Sequence, residues 1–487
     1  MKRRTFLLTA TGAAITAHAW PHRSIAQTAH LRDVTYEPNR PLESTGLSIR
    51  DGVKILEKGE KGNVAPVVRE EILENPNAVF IIYAGVNVDK DEKGRWNPVP
   101  DQMERAGNRV AELLFRKGTE KGGRTFIKPN LVGALSAQNR VSNSHGGIVH
   151  PYIIIGMVDR LRDMGNSNVA IAARGALRHP QVVESGFQAL LDEHKLPLIE
   201  AHVQYFRDYH KSELIWHKNP NGMVQQRFST YKPAFEKGTT FINIAHAHTH
   251  KVGHTTLTLK NIQGVMPRGY GHICDAWTTM DMWRADLMKD FNKDYREAIE
   301  VSYIKHGSMG YKHWDAGGFY KSYKAAGGYV AFKQSLDEYR KAKGDDREKA
   351  LEKCMDIADT RLFWSEIWAQ RMMDIIEALP SPYVSMVEGV FATGSSGVAH
   401  ADFLTVGRSM VAVDAVTTWL MGHDPREVPY LRIAKERGLG ENNIENIPIF
   451  LLSENGPEKV NNYRSLKRER LGISNFGGIS DMKEVFF

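Results

Sequence analysis

Cysteine is scarce in this chain, and long apolar runs are missing from most of it. The 487 residues include two cysteines, Cys274 and Cys354. A conventional iron–sulfur cluster takes four thiolates, so no iron–sulfur cluster is expected. The two thiols can pair in an oxidising compartment or remain separate and buried, and the sequence leaves both open. Beyond residue 26 no uninterrupted apolar run approaches the roughly 20 residues of a spanning helix, which predicts a soluble mature chain without a stable membrane span.

Several catalytic and binding motifs are also missing. The chain has no Gly-x-Ser-x-Gly elbow and no convincing cysteine nucleophile, which disfavours acyl transfer through a protein nucleophile. It has no Gly-x-x-x-x-Gly-Lys loop for a nucleotide. The formal charge is +7, and loss of the first 26 residues would remove four cations and leave +3. The dense basic stripe of a nucleic-acid binder is therefore not expected.

The N-terminus resembles a twin-arginine export signal. Arg3 and Arg4 form the pair, Phe6 and Leu7 follow, and cleavage is expected after Ala26. An ordinary secretory signal or an uncleaved anchor is the alternative. The twin-arginine route predicts a periplasmic or otherwise exported protein, with the translocase as a partner during export. Because that route carries chains already folded, it also raises the expectation of a bound cofactor.

Short apolar runs alternate with amphipathic segments, which predicts an α/β fold with a mostly parallel sheet flanked by helices. A single domain is expected over 27–487, with a helical insertion at about 276–379. The insertion is either a lid or partner surface, or an ordinary helical layer. The predicted strands are 79–88, 125–131, 168–173, 240–247, 383–391 and 447–452, and helices are predicted over 101–117 and 151–164.

Four histidines stand within nine positions at the end of an apolar run. They are His246, His248, His250 and His254. In an extended strand the first three share one face, which is a pattern typical of metal ligands. The alternative is a set of hydrogen-bonded histidines at a strand end. The predicted metal is divalent, either zinc, iron or another ion.

Strand geometry limits how many of these histidines can share one ion. Same-face neighbours lie roughly 6 to 7 Å apart, and His246 and His250 about 13 Å apart. Imidazole nitrogens bind zinc at about 2.0 to 2.1 Å, so a regular strand can supply only two of the three. Either the strand breaks near Thr249 or one histidine has another role. Gly253 offers a turn through which His254 can return as a ligand.

Other polar residues are expected near the carboxyl ends of the strands, where open α/β sheets bind ligands. Glu388 ends an apolar run and is the carboxylate best placed to join the histidines or act as a general base. Lys128 and Lys260, which with Glu388 are the candidate catalytic residues, are single charges that suit a phosphate, a carboxylate or a buried acid. Asp414, in an apolar segment, is expected to be a structural ion-pair partner or cap. The candidate substrate- or anion-binding residues are Asn130, Arg174, Asn261, Ser395 and Ser396.

Several segments together resemble a prokaryotic family known as domain of unknown function 362. They are 126–131 (FIKPNL), 241–250 (FINIAHAHTH), 256–264 (TLTLKNIQG), 387–389 (VEG), 411–416 (VAVDAV) and 422–425 (GHDP). The resemblance implies a shared α/β domain but no assigned reaction. Many members carry cysteine motifs of a ferredoxin-like segment, and this chain lacks them.

The histidine segment departs from the family pattern. Where relatives typically have Lys-x-Lys-Thr-His, this chain has His246, His248 and His250. By the resemblance, His250 is the family-like histidine, and the other two replace lysines. A site shared by the family should therefore centre on His250.

These observations predict an exported metal-dependent enzyme acting on a small anionic substrate at the strand ends. The ion would activate water or polarise an oxygen. The alternative is a periplasmic metal-binding or redox-complex accessory protein without catalysis, docking through an aromatic helical surface. The tryptophans considered for that surface are Trp277, Trp283, Trp314, Trp364 and Trp368.

Overall fold

The computed structural model describes the central part of the chain, with gaps. The described residues are 55–56, 75–90, 92, 96–115, 124–131, 148–174, 187–196, 198–202, 214–236, 238–250, 253–266, 290–297, 329–358, 361–380, 382, 384–394, 397–453 and 455–472. The predicted signal at 1–26 lies outside them, as do Cys274, Ser395 and Ser396.

The described chain alternates strands and helices, as expected for an α/β protein. Its strands are β1 Ile55–Leu56, β2 Val79–Tyr83, β3 Val88–Lys90, β4 Trp96–Pro98, β5 Arg124–Pro129, β6 Val169–Arg174, β7 Leu198–His202, β8 Leu214–Lys218, β9 Arg227–Tyr231, β10 Thr239–His250, β11 His254–Thr256, β12 Val384–Gly394, β13 Gly397–Gly407, β14 Ile449–Ser453 and β15 Gly456–Lys459. Its α-helices are α1 Pro100–Leu114, α2 Pro151–Asp163, α3 Phe187–Glu193, α4 Thr258–Asn261, α5 Tyr329–Lys341, α6 Asp345–Ala358, α7 Arg361–Ala378, α8 Met410–Leu420 and α9 Pro429–Glu436.

Ten strands form one mixed sheet in the order β15-β14-β2-β13-β12-β10-β5-β6-β7, with β11 paired to β10. The pairings β14–β2, β12–β10, β10–β5, β5–β6 and β6–β7 are parallel. Strand β13 is antiparallel to both β12 and β2, and β11 and β15 are antiparallel hairpin partners of β10 and β14. The predicted mostly parallel sheet flanked by helices is therefore confirmed. A second sheet of β1, β8 and β9 and a β3–β4 pair are separate.

Helices cover both faces of the ten-stranded sheet. On one face, α1 and α2 pack against Ile127, Ile242 and Met386. The two helix backbones lie close together because each helix has a glycine at the contact. A methyl group at Gly107 would overlap the carbonyl oxygen of Ile153. On the other face, apolar residues of α7, α8 and α9 join the core that contains Phe126, Phe241 and Val387.

Strand β10 lies between β12 and β5, near the middle of the sheet. It is buried along nearly its whole length. Successive side chains alternate, so Ile242 and Ile244 enter the core under α1 and α2, whereas Phe241 and Ala245 enter the opposite core. Polar residues at odd and even positions of this strand therefore point to opposite faces of the sheet.

The region of the predicted helical insertion contains α5, α6 and α7 among its described residues. Of the tryptophans considered for a docking surface, Trp368 is buried, with 2% of its surface exposed. Trp277, Trp283 and Trp314 lie outside the described residues. In the part of the chain that the structure describes, no helix has the length and apolarity to cross a membrane.

Candidate functional site

A histidine–carboxylate pair joins the two central strands. His246 on β10 and Glu388 on β12 are direct neighbours in the parallel register, although 142 residues separate them in sequence. Their side chains are almost fully buried, and His246 Nδ1 lies 3.1 Å from Glu388 Oε2. The other carboxylate oxygen, Oε1, accepts the backbone N–H of Val390 at 2.8 Å and that of Phe391 at 3.4 Å. Both carboxylate oxygens of Glu388 therefore have hydrogen-bond partners.

An irregularity in β12 makes this arrangement possible. After His246 the register with β10 slips, so that His248 pairs with Thr393. A second slip, against β13, falls between Gly389 and Phe391. The strand therefore turns its N–H groups towards the carboxylate that precedes them, as bulges do when they redirect a side chain. Gly389 has a steric reason to be glycine, because a methyl group there would overlap the ring of Phe403.

The hydrogen bond to Glu388 determines where His246 carries its proton. A carboxylate accepts, so Nδ1–H is the donor, and in the neutral imidazole Nε2 then carries the lone pair. Thr393 Oγ1 lies 3.4 Å from Nε2 and can donate to it.

His248 has the same tautomer for a different reason. Its Nδ1 lies 3.1 Å from the backbone carbonyl oxygen of His246, which can only accept. Nε2 of His248 therefore also presents a lone pair. The pKa of His248 is lowered to about 3, mainly by burial and also by the nearby His246. The two rings lie side by side, with centroids 6.0 Å apart and planes inclined by 27°.

His250 is engaged differently from the other two. Its Nδ1 accepts the backbone N–H of Gly253 at 3.2 Å, and its Nε2 lies 3.0 Å from Lys260 Nζ. Its ring stacks on Trp368, with centroids 5.6 Å apart and an interplanar angle of 16°. Both ring nitrogens of His250 therefore have protein partners. His254 faces His250 across the β10–β11 hairpin, is buried, and has a left-handed backbone with φ of 63°.

Lys128 belongs to a polar network on the opposite face of the sheet. The lysine is buried and donates to Asn261 Oδ1 at 2.6 Å and to the Pro129 carbonyl at 2.9 Å. Asn261 donates in turn to Asn243 Oδ1 at 2.7 Å, and Asn243 donates to the Thr258 carbonyl at 2.8 Å. Asn243, which belongs to this network, and His246 stand at odd and even positions of β10, so their side chains point to opposite faces of the sheet.

Asp414 anchors the same network to helix α8. Its carboxylate accepts the backbone N–H groups of Thr258 and Leu259 at 2.8 and 3.0 Å, together with the Thr258 hydroxyl at 2.6 Å. These are the first N–H groups of α4, so Asp414 caps that helix across a distance of 156 residues. Burial raises the pKa of this carboxyl to about 7. The expectation of a structural cap is confirmed.

Two further candidates have backbone roles at the strand ends. Asn130 follows β5, is buried, and donates its N–H to the Ile244 carbonyl while accepting from Val149. Arg174 ends β6.

Among the described residues, no group of three or more histidine, cysteine, aspartate or glutamate side chains is arranged to hold a metal ion. Metal binding by the histidines therefore stays a prediction.

Residues 125–419, more than half of the chain, match the family model described as Domain of unknown function (DUF362). The chain belongs to the DUF362 family. No curated protein and no solved structure matches it. The DUF362 match includes β5, β10, β12 and α8, and so it contains both the histidine pair and the Lys128 network.

Several residues at these DUF362 strands were missed by the sequence analysis. Thr393 was not among the candidate residues, yet its hydroxyl lies 3.4 Å from His246 Nε2. Trp368 was considered only for a docking surface, yet it packs on His250. Asn243 offered a usable signal, because a polar amide inside an apolar strand requires partners. Thr393 and Trp368 offered none, since their roles depend on the register of β12 and the packing of α7.

Proposed function

We propose that this protein is an exported metal-dependent enzyme acting on a small anionic substrate, and that Nε2 of His246 and Nε2 of His248 bind one divalent ion. The supporting observation is that each ring has its Nδ1–H tied to an acceptor, the Glu388 carboxylate in one case and a backbone carbonyl in the other. Metal-binding histidines almost always donate their second ring N–H in this way. Both lone pairs come from one segment of β10.

Glu388 is an orienting group in this proposal and not a ligand. Its Oε2 accepts from His246, and its Oε1 is held by two backbone N–H groups. Such a carboxylate keeps the imidazole in one tautomer and makes the other nitrogen a stronger ligand. This differs from the ligand or general-base role expected from the sequence.

The ligand set favours an anionic substrate. Two neutral imidazoles leave the charge of a divalent ion uncompensated, and burial keeps His248 neutral by lowering its pKa to about 3. The remaining coordination positions are open to water and to a substrate oxygen, and an ion in such a site activates water or polarises that oxygen. Lys128, which is bound to Asn261, has no part in holding the substrate in this proposal.

The test is metal loading of the full chain, followed by elemental analysis and titration calorimetry with zinc and iron(II). About one ion per chain is expected in the wild type. His246→Ala and His248→Ala should each lose it, whereas His250→Ala should keep it. Glu388→Gln should bind metal about 10- to 100-fold more weakly, since a neutral amide oxygen accepts from Nδ1–H less strongly than a carboxylate does.

The outcomes separate the two functional classes. Equal loading of the wild type and both alanine variants would contradict the metal site. Loading that depends on both histidines, without turnover of phosphate esters or carboxylates, would favour the accessory protein over the enzyme. Export is tested separately: replacing Arg3 and Arg4 by lysine should retain the precursor in the cytoplasm, and N-terminal sequencing of the exported chain should begin after Ala26.

A further inference from the structure

A cleft of about 340 Å³ lies beside β14 and β15, at the outer end of the ten-stranded sheet. Its volume falls within the roughly 300 to 1,000 Å³ of small-molecule sites. Tyr83, the last residue of β2, and Leu451 of β14 form part of its wall, and both pack against the core that contains Phe241. His246 points to the opposite face of the sheet, and β13 and β12 stand between β2 and β10. The cleft is therefore separate from the proposed metal site.

The rest of the wall comes from residues 458–467, a segment fixed by its own hydrogen bonds. It contains a 3₁₀ turn, Tyr463–Ser465, which Asn462 caps by accepting a backbone N–H of the turn at 3.1 Å. The Tyr83 hydroxyl donates to the Lys467 carbonyl oxygen at 3.3 Å and so ties the end of the segment to β2. The chain's own contacts therefore hold the walls in place, as in a largely pre-formed ligand site.

The lining of the cleft carries an excess of positive charge. Lys459 ends β15, Lys467 follows the turn, and both side chains are exposed. Neither ammonium group has an ion-pair or hydrogen-bond partner among the described residues. Glu458 also lines the cleft, and its Oε1 is engaged by the Ser453 hydroxyl at 2.7 Å. Two lysines against one glutamate favour an anionic ligand.

We propose that this cleft binds a small phosphate monoester. Such a phosphate carries a charge of roughly −1.5 to −2 at pH 7, which matches the two compact ammonium groups of Lys459 and Lys467. A carboxylate, with one charge, matches only one of them. The Asn461 amide in the lining is a further donor for a phosphate oxygen. Tyr83 and Leu451 give the organic part of the ligand an apolar wall.

The test is binding of phenyl phosphate to the metal-free full chain at pH 7 and low salt, measured by titration calorimetry. Benzoate, which keeps the ring but carries one negative charge, is the comparison ligand. Phenyl phosphate should bind at one site per chain, about 10-fold more tightly than benzoate, because it engages one more ammonium group. His246→Ala should bind it as the wild type does, since that residue lies on the other face of the sheet.

Substitutions in the lining should change the affinity in opposite directions. Lys459→Gln and Lys467→Gln should each weaken binding about 5- to 10-fold, since each removes a charge-assisted hydrogen bond. Glu458→Gln should tighten it about 2-fold, because a like charge leaves the lining. Lys349→Gln is the matched control, since this lysine of α6 does not line the cleft and its side chain is 77% exposed. Circular dichroism confirms that each variant is folded.

A lack of saturable binding of phenyl phosphate at millimolar concentration would overturn the proposal. Benzoate binding as tight as that of phenyl phosphate would do the same, and so would equal affinities of the Lys459→Gln, Lys467→Gln and Lys349→Gln variants. Loss of binding in His246→Ala would move the ligand to the histidine face. Because the chain is free of metal in these titrations, their outcome is independent of the metal-loading experiment.

Discussion

Both faces of β10 carry polar residues, but the two sets differ in how their donors and acceptors are paired. On the Asn243 face, the donors of Lys128, Asn261 and Asn243 meet acceptors of the same network. On the His246 face, the donors of both imidazoles turn towards Glu388 and a carbonyl, and their lone pairs remain directed elsewhere. The first arrangement is that of a structural network, and the second is the one on which the proposed metal site rests. The difference teaches that buried polar residues indicate function when their hydrogen bonds leave ligand atoms presented.

The largest effect should follow from breaking the structural face at Asp414. Asp414→Ala leaves the buried N–H groups of Thr258 and Leu259 without their acceptor. We expect a loss of about 3 kcal/mol in the free energy of unfolding, measured by denaturant titration. Asp163→Ala is the control, since that side chain is 69% exposed. Equal stabilities of the two variants would contradict the assigned cap.

The pH dependence of stability gives a second test of Asp414. Burial raises its pKa to about 7 in the folded protein from an ordinary value of 3.8. Between these values the folded state holds a proton that the unfolded state has lost, so stability falls as pH rises. Relative to Asp414→Asn, the wild type should lose about 2 kcal/mol between pH 5 and pH 7. Parallel stability curves for the two proteins would show that the carboxyl does not titrate there.

Lys128→Met sharpens the comparison from the same face. The substitution keeps the volume but leaves the Asn261 oxygen and the Pro129 carbonyl without their donor. A loss of about 1 to 2 kcal/mol is expected in the free energy of unfolding. Metal affinity should stay unchanged, as measured by calorimetry. A variant that folds normally but no longer binds metal would place Lys128 in the binding site after all.

The smallest effect is expected at Thr393. Thr393→Val removes the hydroxyl that lies 3.4 Å from His246 Nε2 and keeps the shape of the side chain. At this distance the hydrogen bond is weak, so stability should change by less than about 1 kcal/mol. Because the hydroxyl competes with an ion for the same lone pair, metal affinity should rise slightly. A large loss of affinity would instead make Thr393 part of the metal site.

Much of the fold could be predicted from local patterns. The helices predicted over 101–117 and 151–164 are observed at Pro100–Leu114 and Pro151–Asp163. The main omission is β13, Gly397–Gly407, which runs antiparallel between β2 and β12. The prediction assumed parallel neighbouring strands with a helix between them. A strand that forms a hairpin with the preceding strand has no helix before it, so the alternation of strands and helices does not reveal it.

The candidate site was predicted only in part. The observation that three same-face histidines cannot share one ion anticipated the separation of His250 from the other two. The family-based expectation centred the site on His250, whereas the structure assigns Glu388 to His246. That neighbour is set by the register between β10 and β12, and register depends on packing far from the residues themselves.

By itself the sequence determined that β10 is a buried strand carrying histidines at alternate positions, because a period of two follows from backbone geometry alone. It also determined family membership and the kinds of side chain that chemistry here can use. Only the tertiary structure decided that His246 donates from Nδ1, because its acceptor, the carboxylate of Glu388, comes from a part of the chain 142 residues away. Proton positions, and with them the chemistry of this site, are therefore properties of the folded chain.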